Sequence, residues 1–122
     1  MFKGIRCLAV YCQDLEKSKK FYTDILGFRV AHEVAANLCF LKSESGAIYI
    51  YLEGGNKPRA IDKETSRLSF FLEAEKSTSE TYNVLKAKGV KLLQEAPEAV
   101  SDDTHCFQFQ DPDGNIIEVA GP

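Results

Sequence analysis

The sequence lacks the features that would send it to a membrane or to nucleic acid. No apolar run approaches the roughly 20 residues a helix needs to cross a bilayer, and the opening Met1-Phe2-Lys3-Gly4-Ile5-Arg6 has neither an apolar h-region nor a small-residue cleavage site. A cytoplasmic location is therefore expected. Basic residues do not cluster beyond Lys17, Lys19 and Lys20, and the formal net charge is −3, which gives no electrostatic footprint for nucleic acid. Cys7, Cys12, Cys39 and Cys106 show no CxxC spacing and each sits in an apolar, strand-like run, so buried reduced thiols are expected rather than disulfides. Also missing are a Ser-His-Asp constellation, a phosphate-cradling glycine loop and a zinc-type Cys/His spacing.

What the chain does have is alternation. Residues 107–110 and 115–119 are alternating apolar runs joined by Asp111-Pro112-Asp113-Gly114. Pro112 presets φ, Asp113 tolerates turn geometry and Gly114 supplies a positive φ, which predicts a tight β-hairpin. Glu118 falls in the second run among Ile116, Ile117, Val119 and Ala120, and a charge in so apolar a strand needs a partner or a wet face. Upstream, residues 5–12 read as a buried strand and Asp14 as the N-cap of a helix running through Leu26, with Gly27 as its stop. Residues 28–34, 37–42 and 47–52 read as three more strands, and Gly54 to Thr65 as a linker. The order then recurs: a strand over 67–73, a helix opened by the Ser77/Glu80 capping box and stopped at Gly89, a short strand over 90–93, a loop through Pro97, and strands over 104–110 and 115–120.

The two halves overlay in sequence. Cys7-Leu8-Ala9-Val10-Tyr11 lies over Arg67-Leu68-Ser69-Phe70-Phe71, and Gly46-Ala47-Ile48-Tyr49-Ile50 over Gly114-Asn115-Ile116-Ile117-Glu118, which argues for an internal duplication. The predicted fold is α+β, one domain over 1–122 made of two paired β-α-β-β-β repeats. Repeat 1 spans about 1–53, the linker about 54–65 and repeat 2 about 66–122. The sheets are expected to curve into a cleft with the helices outside.

Asp14-Leu15-Glu16-Lys17-Ser18 running into Phe21-Tyr22-Thr23-Asp24-Ile25-Leu26-Gly27-Phe28, together with the closing Asp111-Pro112-Asp113-Gly114-Asn115-Ile116-Ile117-Glu118, resembles the vicinal oxygen chelate superfamily. That group includes glyoxalase I, the extradiol dioxygenases, and the fosfomycin and bleomycin resistance proteins. The resemblance covers the whole chain and implies the glyoxalase-like fold and a homodimer. In metal-dependent members it also implies ligands from the first and last strand of each repeat, positions that fall here on Cys7, Ile50, Arg67 and Glu118. Glu118 alone keeps the family residue. Cys7 could bind as thiolate, Ile50 offers no donor, and Arg67 has no acceptor and stays protonated. His32 and His105 lie outside these positions.

These residues lead to three readings. The first is a metal-free protein that binds a small aromatic or anionic molecule, with Arg67 reaching Glu118 in the space an ion would take. Its ligand-binding set is Cys7, Tyr11, Ile50, Arg67, Phe71 and Glu118, and period two adds Ala9, Ile48, Leu52, Ser69 and Ile116 to the same wall. The second is a metal-dependent lyase, isomerase or transferase of the glyoxalase I kind, holding one divalent ion with Glu118 and Cys7 among its ligands. The third is a dimeric interaction module whose cleft is filled by its own side chains.

Overall fold

In the computed structural model, which describes every residue except Phe2, Lys63, Ser66 and Arg67, the chain divides into two units, Met1–Arg59 and Ala60–Pro122. Unit 1 contains strand β1 (Cys7–Tyr11), helix α1 (Leu15–Lys20) continuing as a π-helical turn (Phe21–Ile25), and strands β2 (Arg29–Ala35), β3 (Leu38–Lys42) and β4 (Tyr49–Glu53). Its sheet runs in the order β1-β4-β3-β2, with β1 parallel to β4 and the other pairs antiparallel.

Local chemistry explains the helical segment. Asp14 is extended and its carboxylate accepts the Lys17 N–H at 3.2 Å, satisfying one of the orphan donors of the first turn. The coil then widens, Leu26 N–H donating to Phe21 O at 3.1 Å across five residues, and Gly27 ends it at φ +83°. The predicted helix and its stop are thus observed, with the widened last turn as an addition. Phe21 and Tyr22 are both buried, Tyr22 meeting Phe21 and Phe28 edge-on. They belong to a core with Val10 and Cys12, Cys39 and Leu41, and Ile50 and Leu52. Burying a side chain of this size contributes about 1.5–3 kcal/mol.

The breaker cluster after β4 is less of a linker than its composition predicts. Gly54 N–H donates to Asn37 O at 2.9 Å, Gly55 N–H to Gln13 O at 3.1 Å and Asn56 N–H to Cys12 O at 3.0 Å. A Cβ on Gly54 would come within 2.8 Å of Leu15 Cβ, so glycine is needed there for close approach.

Unit 2 contains β5 (Phe70–Glu73), α2 (Thr78–Ala87), β6 (Lys91–Leu92), β7 (Glu98–Ala99), β8 (His105–Gln110) and β9 (Ile116–Gly121). The sheet order is β5-β9-β8-β6, β5 parallel to β9, with β7 also pairing with β8. Ser77 and Glu80 form the expected capping box. Strand β7 falls where only a loop is predicted; two residues are too few to leave a periodic signal. Tyr82 and Leu85 of α2 are buried together with Phe107, Phe109, Ile117 and Val119, and Tyr82 packs edge-on to Phe107 at 5.2 Å. Both units are mixed sheets with few helices, an α+β arrangement. Among the described residues no helix is long and apolar enough to cross a membrane.

Candidate functional site

Each sheet has one face lined by the buried core and one that is not, and period two decides which side chains reach the second. In unit 1 the register aligns Cys7, Tyr49 and Lys42 in one row, Ala9, Tyr51, Phe40 and His32 in the next, and Tyr11, Glu53 and Leu38 in a third. Cys7 and Tyr11 therefore share a face, as the alternation requires. Ile50, expected on that face with Ile48 and Leu52, is corrected: it pairs with Leu8 and Leu41, is 3% exposed, and belongs to the core on the opposite face, as does Leu52.

The reason is a one-residue difference in loop length. Strand β9 starts two residues after Gly114, whereas β4 starts three after Gly46, so aligning the halves on their glycines turns β4 over. The third residue of β9 is Glu118 and the third residue of β4 is Tyr51. Alternation gave Tyr49, Tyr51, Phe40, His32 and Glu53 no site role, although the aromatic residues at 49 and 51 carried the signal.

These residues form a continuous aromatic surface. The His32 ring stacks on Phe40 at 4.7 Å and 22°, Phe40 lies 4.9 Å from Tyr51, and Lys42 Nζ sits 5.5 Å from the centre of the Tyr49 ring. Tyr11 is 57% exposed at one end. The Tyr51 hydroxyl donates to Glu53 Oε1 at 3.2 Å. Partial burial, and then this bond to the carboxylate, push the Tyr51 phenol above its ordinary value. On the core face, burial likewise raises the Cys39 thiol, keeping it protonated.

In unit 2 the corresponding row is Phe71, Glu118 and Gln108. Glu118 Oε2 accepts from Gln108 Nε2 at 3.1 Å, Gln108 Oε1 accepts from Gln94 Nε2 at 3.1 Å, and Gln94 Oε1 accepts the Gln108 backbone N–H at 2.8 Å. Phe71, the cross-strand neighbour of Glu118, is 63% exposed. Arg67 lies outside the described residues, and so does the expected Arg67–Glu118 ion pair.

The metal positions implied by the resemblance can be tested against this geometry. Cys7 and Glu118 offer donors, Ile50 faces the core, and among the described residues no three His, Cys, Asp or Glu side chains come together to hold an ion. An open catalytic metal site needs about three protein ligands, so the described donor set does not fit one.

Residues 4–119 match the family model of the Glyoxalase/Bleomycin resistance protein/Dioxygenase superfamily. The uncharacterized protein YetH of Bacillus subtilis (strain 168) is 33% identical over 125 residues, covering 96% of this chain and 97% of that one. The metallothiol transferase FosB of Staphylococcus haemolyticus (strain JCSC1435) is 29% identical over 120 residues, covering 98% and 84%. Among solved structures, TnmS3, an antibiotic binding protein from Streptomyces sp. CB03234, superposes with a TM-score of 0.76 at 19% identity over 99% of this chain and 97% of that one, a likeness of fold.

Proposed function

The chain belongs to the glyoxalase/bleomycin resistance protein/dioxygenase superfamily, and on that premise we propose that it binds a small, flat aromatic molecule on the aromatic face of its first sheet, without a protein-bound metal ion. The observation that carries this is the row of Tyr51, Phe40 and His32, flanked by Tyr49 and Tyr11. Rings held on a sheet present π-faces that need no reordering, so a planar ligand stacks at little entropic cost. Lys42 and Glu53 add one charge of each sign at the margin of the face. The antibiotic binding activity in the name of TnmS3 accords with this reading.

The test is a fluorescence titration with 2-naphthol, neutral and planar at pH 7; the chain has no tryptophan to interfere. Saturable binding is expected, weakened about tenfold by Phe40→Ala, equivalent to about 1.4 kcal/mol. Binding that is absent, or that Phe40→Ala leaves unchanged, overturns the proposal.

The resemblance to FosB makes a metal-dependent lyase, isomerase or transferase the competing reading. Elemental analysis and thermal shifts with Ni²⁺, Zn²⁺, Mn²⁺, Co²⁺ and Fe²⁺ decide against it or for it. An ion at a hundredfold excess over Kd stabilises the native state by about 2.7 kcal/mol. One ion per chain, lost in Glu118→Gln, would replace the metal-free proposal with the enzyme.

A further inference from the structure

Glu118 sits at the end of a hydrogen-bond chain whose direction is set by the backbone. The Gln108 main-chain N–H can only donate, so the Gln94 atom that meets it must be the oxygen. The Gln94 amide nitrogen therefore faces Gln108, which must present its own oxygen there and turn its NH₂ toward Glu118. The Gln94 backbone is anchored in turn, since its main-chain carbonyl oxygen accepts from the buried Tyr82 hydroxyl at 2.7 Å. The chain thus delivers a donor to Glu118 Oε2 and holds the carboxylate as an acceptor. It supplies no positive charge: among the described residues no Lys, Arg or His nitrogen lies within ion-pairing distance of Glu118.

A carboxylate fixed by an amide, with no cation paired to it among the described residues, beside an exposed phenyl ring is the chemistry that recognises an organic cation. The carboxylate takes the N–H groups and the ring face takes the charge. We propose that Glu118 and Phe71, on the sheet of unit 2, form a site for an ammonium or amidinium group carried on a small aromatic molecule. Glu73, on the same face of β5, adds negative potential and disfavours an anion. Gln108 and Gln94 are positioning residues that orient the carboxylate.

The experiment compares benzamidine, a cation, with its neutral near-isostere benzamide and with benzoate, following the Gln side-chain NH₂ signals by ¹H–¹⁵N NMR with a chelator present. The expected result is binding of benzamidine at least tenfold tighter than benzamide, none of benzoate, and movement of the Gln108 amide signals. Glu118→Gln should abolish the preference, and Phe71→Leu should weaken benzamidine several-fold. Gln94→Leu, which removes both the acceptor for the Gln108 N–H and the donor to Gln108 Oε1, should reduce the preference. Equal affinity for benzamidine and benzamide, a preference that survives Glu118→Gln, or no binding of benzamidine overturns the inference. Because Phe40→Ala reads the first sheet and Glu118→Gln the second, failure of benzamidine while 2-naphthol still binds in a Phe40-dependent way sinks this site and leaves the aromatic face standing.

Discussion

Tyr51 links chemistry and position most directly at the scale of single residues. Its phenol is raised because the neutral form loses less on partial burial and donates to the Glu53 carboxylate, a bond the phenolate cannot make. The unfolded chain releases this proton near pH 10, the folded chain only above it. The contribution of the neutral phenol to stability is therefore complete below about pH 10, and fades as pH rises through the folded value. The difference between phenolate absorbance titrations of wild type and Tyr51→Phe isolates this group. Its midpoint should lie above that of free tyrosine and move down in Glu53→Gln; a midpoint at or below free tyrosine would show that the bond does not form in solution. Legibility at this scale was partial. Glu118 stood out because a charge among Ile116, Ile117 and Val119 is chemically conspicuous, whereas Tyr51 did not, because strands of mixed aromatic and aliphatic residues, such as Tyr49 to Leu52, look apolar on both faces.

Among the elements, the β8–β9 hairpin shows how far turn chemistry can be read. Pro112, Asp113 and Gly114 predict the reversal, and Gly114 does adopt φ +85°. What spacing does not reveal is that Asp111 holds the turn closed. It is 5% exposed, its Oδ1 accepts from the Asp113 and Asn115 backbone N–H groups at 2.9 Å each, and its Oδ2 accepts from Asn115 Nδ2 at 2.8 Å. Removing a carboxylate with these bonds leaves backbone donors of a half-buried turn without their acceptor, so Asp111→Ala should cost on the order of 3 kcal/mol in urea unfolding. A loss under about 1 kcal/mol would mean that water replaces the side chain at little cost. Strands β3, β4, β8 and β9 and both helices were legible because caps, glycine stops and alternation agree. The pairing of β4 was not, since one loop residue inverts a face without altering any local signal.

For the whole molecule, the α+β class was legible before any register was known, and the two mixed sheets with few helices agree with it. The assembly is a separate matter, and a homodimer is the expected state. Strand β2 is exposed along its whole length and carries Val30 and Val34 at 44% and 58% exposure, at the edge of its sheet. Unit 2 exposes Leu68 at 90%. Two copies related by a two-fold axis can bury such surfaces reciprocally, the commonest closed arrangement. Two chains of net charge −3 repel one another, so an association driven by apolar contact should persist or strengthen as salt screens that repulsion, whereas one driven by ion pairs should weaken. Light scattering should therefore give twice the chain mass at 0.1 M salt and again at about 0.5 M. A monomer throughout would overturn the dimer, and dissociation on adding salt would replace the apolar contact with an ionic one.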